Sequence, residues 1–325
     1  MILVTGGAGF IGGNLVADLV ARGRRVMVVD ELERARVEGR VPPGIADALD
    51  KDEFVSRLEA GDFQPSRCEA LVHLGACTDT GELDERRLLR DNVQYSERLL
   101  AWALAHAVPF LYASSAAVYG QGPWFVEAPE FEAPLGGYAR SKWLFDQRVR
   151  AILPAASSQV VGLRYFNVYG PGESHKGAMA SMVRRLWAAR RAGGPVRLFE
   201  ASHGWAAGEQ RRDFLHVADA VAATRWFLER PDRSGIFNVG TGTSTSFNEL
   251  ARLVLAHSGE GVIEYVPMPT EVRARYQSYT CADLTALRKA GYEAVFQPPA
   301  VKVPEYLRQL DAGTRPAHEP AGSSP

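Results

Sequence analysis

The chain has 325 residues, 46% of them hydrophobic, enough to bury one large core or two modest ones. A formal net charge of -1 gives no basic footprint for nucleic acid or an anionic membrane. Three cysteines with no Cys-x-x-Cys pair argue against a disulfide framework or a structural zinc site, and no stretch approaches the roughly 20 apolar residues of a membrane span. A cytoplasmic protein acting on a small molecule is expected.

Ile2-Leu3-Val4 has no charged lead before it and reads as a strand rather than a secretion signal. Further short apolar runs, Val26–Val29, Ala70–Leu74, Phe110–Ala113 and Val160–Leu163, have the character of buried parallel strands. Between them, Ile11–Arg22, Lys51–Ala60, Arg86–His106 and Tyr138–Ile152 repeat apolar positions at helical spacing. Strands regularly separated by helices predict an α/β fold: a Rossmann-type doubly wound parallel sheet with a smaller α/β substrate-binding lobe. The dinucleotide-binding domain is expected over 1–168, with segments near 213–243 rejoining its sheet. The lobe is expected over 169–311. Residues 312–325 hold almost nothing to bury and are expected to form a disordered tail.

Thr5 to Gly12 follows the first strand and opens the first helix. Gly6, Gly9 and Gly12 are spaced Gly-x-x-Gly-x-x-Gly, as in short-chain dehydrogenases, and such a turn can cradle a pyrophosphate. Asp30 closes the second strand, where a carboxylate can accept ribose hydroxyls; Arg34, Arg36, Arg40 and Lys51 follow and could pair with a 2′-phosphate. On residues alone the choice between NAD and NADP stays open.

Tyr138 and Lys142 stand four apart on one helical face, so the ammonium is placed to lower the phenol's pKa and make it a base. Ser115, at the end of the fourth strand, can hydrogen-bond a reacting oxygen. The chain has only five lysines against 32 arginines, and an amine can lose its proton near neutrality where a guanidinium cannot. Lys176, in a glycine-rich loop, is therefore a second acid-base candidate. No histidine or cysteine cluster suggests a metal, and no Gly-x-Ser-x-Gly suggests a hydrolase.

These residues, with Asn92-Val93-Gln94-Tyr95-Ser96, Arg164 to Gly170, His175-Lys176-Gly177 and Arg275-Tyr276-Gln277, resemble the extended short-chain dehydrogenases. Within them the His-Lys-Gly and Arg-Tyr-Gln segments resemble the ADP-L-glycero-D-manno-heptose 6-epimerases, and the likeness runs to about Leu310. The resemblance implies an isomerase that inverts C6 of an ADP-heptose through a transient ketone, in the supply of lipopolysaccharide inner core. Tyr138 would be the base in one substrate orientation and Lys176 in the other, with Ser115 and Lys142 beside them. It implies NADP, with NAD as the alternative, held by Gly6, Gly9, Phe10, Ile11 and Gly12, by Asp30, Glu31 and Lys51, by Leu74, Gly75 and Ala76, and by Asn92, Lys142, Val168 and Lys176. Lys51 would face the 2′-phosphate. Substrate contacts carry over to Ser115, Asn167, Ala178, Arg185, Phe199, Glu200, Ser202, Arg212 and Tyr276, with Arg212 suited to a diphosphate. Ring-like homo-oligomers, pentamers in particular, are also implied.

Three features depart from that family: Ala178 where a small hydroxyl residue is usual, Arg185 where a histidine is usual, and a lengthened stretch from His203 to Gln210. Competing readings remain. A UDP- or GDP-hexose 4-epimerase would share Ser115, Tyr138 and Lys142 without needing Lys176. A 4,6-dehydratase would need an acidic residue where Ala116 and Ala117 stand. A non-catalytic cofactor binder of the same fold would need none of the acid-base groups, and a simple reductase would release its cofactor each turnover.

Overall fold

The computed structural model describes residues 1–42, 45, 47–259 and 261–313. Its first half alternates β1 (Ile2–Thr5), α1 (Phe10–Ala21), β2 (Val26–Asp30), α2 (Leu32–Val37), β3 (Asp47–Asp50), α3 (Lys51–Ala60) and β4 (Ala70–His73). Next come α4 (Glu85–Leu88), a π-helical turn at Leu89–Gln94, α5 (Tyr95–Ala105), β5 (Phe110–Ser115), α6 (Gly136–Ile152) and β6 (Val160–Tyr165). The second half contains β7 (Asn167–Tyr169), α7 (Met182–Arg191), β8 (Val196–Phe199), β9 (Arg211–Arg212), β10 (Phe214–His216), α8 (Val217–Leu228) and β11 (Gly235–Val239). It ends with β12 (Thr245–Ser246), α9 (Phe247–Ser258), β13 (Ile263–Val266), α10 (Thr270–Arg273), α11 (Thr285–Lys289) and α12 (Pro299–Asp311).

Seven parallel strands form one sheet in the order β11-β6-β5-β4-β1-β2-β3. Successive residues of a strand face opposite sides, so both faces must be covered. Val4 and Val28 meet Leu15, Val16 and Leu19 of α1 and Phe227 of α8 on one face. Leu3 and Leu71 meet Phe54 of α3, Leu99 of α5 and Phe145 of α6 on the other. Each such side chain, fully buried, contributes about 1.5–3 kcal/mol of transfer free energy.

The strand order reverses between β1 and β4, and ligands of open α/β sheets bind in the crevice beyond the strand ends at such a point. Of the segments expected to return to this sheet, Gly235–Val239 pairs with β6, whereas Phe214–His216 pairs with Asn167–Tyr169 in a separate two-stranded sheet. A further small core joins β8, α7, α9 and α12, including Val196, Leu198, Leu250 and Tyr306. The expected tail lies, from residue 314 on, outside the described residues.

Two local departures from the sequence pattern have physical causes. β3 carries an aspartate at each end and no apolar run; as an edge strand it leaves one side unpaired, so it needs no continuous hydrophobic stretch. The helix expected over Arg86–His106 is continuous but widens into the π-helical turn, a feature common at functional sites. That turn carries Asn92.

Candidate active site

A cleft of about 1380 Å³ opens over the carboxyl ends of β1, β4 and β5. At its floor, Gly6 has a φ of +67°, and a Cβ there would lie 2.5 Å from the Gly75 nitrogen at the end of β4. At Gly12 a Cβ would lie 2.0 Å from the Gly6 carbonyl oxygen, so only glycine lets α1 pack on the turn. α1 begins at Gly9 with no side-chain cap and no acidic residue in its first turn. Its first amides are therefore left for an anion, and the helix dipole favours one.

Asp30 accepts hydrogen bonds from the backbone N–H of Ala8 (2.9 Å) and of Glu31 (2.8 Å), so it braces the glycine turn as well as facing the cleft. Lys51 Nζ donates to Glu31 Oε1 at 2.7 Å, and Arg40 donates to the Ala8 carbonyl at 2.7 Å. Phe10, Ile11, Leu74, Gly75, Ala76 and Val168 all line the cleft. Uncapped amides, a strand-end carboxylate and nearby cations fit a bound dinucleotide.

Asn92 is buried, at 1% exposure, and sits behind the lining. Its side chain accepts from the Cys77 N–H (2.8 Å) and donates to the Cys77 carbonyl (3.0 Å) and to Ser141 Oγ (2.9 Å), pinning the β4 loop to α6. Beside it, Ser96 Oγ donates to the Asn92 carbonyl and contacts His73 Nε2 at 2.7 Å, while His73 Nδ1 meets Thr5 Oγ1 at 2.6 Å. Since Ser96 spends its proton on the carbonyl, His73 donates from Nε2 and accepts at Nδ1. Burial holds this histidine down at about 3, which keeps it neutral.

The first turns of α6 place Tyr138 and Lys142 in the cleft. Burial pushes the Tyr138 phenol above its ordinary value, opposed by a hydrogen bond with Ser115. Burial brings Lys142 down to about 8, against the charge of Asp146. The expected lowering of Tyr138 by Lys142 is absent. The lysine instead donates to the Ala113 carbonyl at 2.9 Å, so here the partner that eases ionisation of Tyr138 is Ser115. Ser115 also accepts from the Ala117 N–H, which fixes its hydroxyl at the end of β5.

Lys176 comes from the facing loop, Ser174–Met179, and its Nζ lies 5.2 Å from the centre of the Phe10 ring. Burial lowers its pKa, with Glu173 opposing. Arg212 enters from β9, buried to 7% exposure, its guanidinium 4.9 Å from the Tyr276 ring centre and 5.8 Å from that of Phe247. Among the described residues, Lys142, Lys176 and Arg212 form no ion pair with a carboxylate. Three desolvated cations around one cleft make it a receptor for anionic ligands.

Asn167 and Tyr276 also line the cleft; Ala178, Arg185, Phe199, Glu200 and Ser202 do not. Ala178 and Arg185 are exposed. Phe199 meets Tyr276 edge-on at 5.8 Å, and the Glu200 carbonyl and Ser202 Oγ both accept from Gln210. The lengthened stretch folds into a tight Ser202–Trp205 turn with φ of +53° at His203. It sets the His203 ring 5.8 Å from Tyr276 and stacks Trp205 on Tyr279. Gln277 donates to the Ala116 and Gly120 carbonyls, tying the Arg-Tyr-Gln segment to the turn after Ser115. Cys77, Arg275, Gln277 and Phe247 line the cleft without having been singled out individually as contacts; their place depends on chain crossings that no local motif encodes.

A model of the NAD dependent epimerase/dehydratase family matches residues 2–240. The chain belongs to this family. It is 51% identical over 309 residues, 94% of its length and 96% of the relative's, to the ADP-L-glycero-D-manno-heptose-6-epimerase of Alkalilimnicola ehrlichii. Its fold is similar to the crystal structure of the Helicobacter pylori ADP-L-glycero-D-manno-heptose-6-epimerase, with TM-score 0.78, 29% identity and 96% of each chain covered. It is also similar to a Thermus thermophilus UDP-glucose 4-epimerase in complex with NAD, with TM-score 0.72, 27% identity and 94% and 98% of the two chains covered. The glycine turn, Ser115, Tyr138 and Lys142 all line the cleft described above. A nicotinamide cofactor and a nucleotide-sugar substrate go with the family. Among the described residues, no helix is long and apolar enough to cross a membrane, and no group of three or more His, Cys, Asp or Glu is placed to hold a metal ion.

Proposed function

We propose that the chain inverts C6 of ADP-D-glycero-D-manno-heptose to give the L-glycero epimer. The observation that carries this is the presence of two half-buried acid-base groups, Tyr138 and Lys176, from different elements in the lining of one cleft. A bound nicotinamide cofactor supplies the acceptor for the C6 hydride and the donor that returns it. Tyr138 Oη takes the hydroxyl proton in one orientation of the C6–C7 unit, and Lys176 Nζ gives a proton to the carbonyl oxygen in the other. Each direction breaks one C–H and one O–H bond and remakes both, so no net redox change remains. Ser115 holds the reacting oxygen, and Arg212 holds the diphosphate between the rings of Tyr276 and Phe247.

The proposed cofactor is NADP. Two backbone N–H groups already occupy the Asp30 carboxylate, and Lys51 would exchange Glu31 for the 2′-phosphate. The reading extends to a cytoplasmic, ring-like homo-oligomer, a pentamer, supplying lipopolysaccharide inner-core precursor. The test is to incubate purified protein with ADP-D-glycero-D-manno-heptose without added cofactor and follow C6 configuration by NMR. Conversion is expected, with NADP released on denaturation. No conversion even with NADP or NAD supplied, together with turnover of a UDP-hexose, would replace this reading with a hexose 4-epimerase.

A further inference from the structure

Below the Lys176 loop lies a fully buried carboxylate that the chemistry above does not use. Glu173 has 0% exposure, and four donors converge on it. They are the Gly170 N–H at 3.3 Å, the Ser181 N–H at 2.5 Å, Ser181 Oγ at 2.7 Å and Tyr306 Oη at 3.1 Å. Gly170 is where the chain leaves β7, and Ser181 caps α7, where it re-enters regular structure. Both ends of the loop that carries Lys176 are therefore fastened to one side chain. Tyr306 lies on α12, so the same carboxylate ties the loop to the last helix. On the opposite flank, Asn14 of α1 donates to the Pro171 carbonyl at 2.9 Å and also to the Phe10 carbonyl, fixing the loop's start to the helix whose Phe10 ring underlies Lys176.

We infer that Glu173 is a positioning residue for Lys176: it closes the 170–181 loop on a single buried acceptor and so sets the height of the Lys176 amine over the cleft. A carboxylate suits this place because it accepts at both oxygens; an amide would turn an NH₂ toward one of the donors. The inference rests on the assignment of Lys176 as the second acid-base group, and its test separates the two.

Glu173→Gln preserves volume and removes one acceptor. Its kcat is expected to fall on the order of 10²-fold, the scale of an ångström misplacement, with KM for the nucleotide sugar unchanged. Acylation of Lys176 by an amine-reactive reagent, read by peptide mass spectrometry, is expected to speed up while that of Lys142 stays constant. Added to Lys176→Met, Glu173→Gln is expected to cause no further loss of the residual turnover. Tyr306→Phe removes one donor only, and shows the same pattern more weakly should Glu173→Gln fail to fold. Unchanged kcat and unchanged Lys176 labelling in both variants would overturn the inference, as would a full additional loss in the Lys176→Met background. If the wild type does not epimerise the ADP-heptose but Lys176 labelling still responds to Glu173→Gln, the substrate assignment fails and the positioning role stands.

Discussion

Tyr138 and Lys176 reach the same cleft on supports of different construction. Tyr138 sits in the first turn of a 17-residue helix, one and two turns before Lys142 and Asp146. Asp146 accepts from Tyr112 and Ser114 of β5 and pairs with the fully buried Arg164 of β6 at 2.8 Å; Arg164 also pairs with Glu132. Helix and sheet are thus locked by a charged network in the core. Lys176 stands on a loop of four-donor, one-acceptor design, with a glycine at φ +51° immediately after it. Tyr138 is thus held by the helix and sheet of the scaffold, and Lys176 by a loop pinned at both ends to a single buried carboxylate.

The comparison can be broken at several depths. Replacing Tyr138 by Phe or Lys176 by Met should each lower kcat by about 10²–10⁴-fold, the range for losing a general acid-base group, with little change in melting temperature. A Lys176→Met enzyme with wild-type turnover would remove the second base from the account. Arg164→Met leaves Asp146 buried without its cationic partner and Glu132 with Arg150 alone, and should cost about 3–5 kcal/mol in denaturant unfolding, a penalty Lys176→Met should not share.

Gly12→Ala forces a methyl against the Gly6 carbonyl, for about 1–3 kcal/mol and a loss of co-purifying cofactor measured by absorbance after denaturation. His73 gives the most specific effect, one absent at neutral pH and confined to the acid limb. Its folded value of about 3 lies below its ordinary 6.5, so across that window the unfolded chain binds a proton that the folded chain does not. Its contribution is fully present above pH 6.5 and declines as pH falls toward 3; His73→Gln should flatten that limb of the stability profile.

Much of this was legible in the residues. The five apolar runs and the glycine spacing mark the strand ends that build the cofactor side, because buried parallel strands and a phosphate turn leave local signatures. Tyr138, Lys142 and Ser115 follow from spacing along two elements. The sequence pattern does not announce β3, whose edge position excuses it from an apolar run, or the π-helical turn, which needs the Asn92 contacts to explain it. The relation of Ser115 to Tyr138, in place of the expected lysine effect, depends on where Lys142 finds its acceptor, and that is a backbone carbonyl of β5, the strand that also carries Ser115. Phe199, Glu200 and Ser202 lie outside the cleft lining, and the Ser202–Trp205 turn that follows them rests on positive φ at His203 and Gly204 rather than on any motif.

The most direct test of inversion by hydride removal and return is to convert ADP-heptose deuterated at C6 in ordinary water and measure the label in the product. The account predicts that deuterium stays at C6 of the L-glycero epimer, because the same hydride leaves and comes back on one bound cofactor. Loss of the label to solvent at the rate of epimerisation would contradict it and point to proton abstraction at carbon.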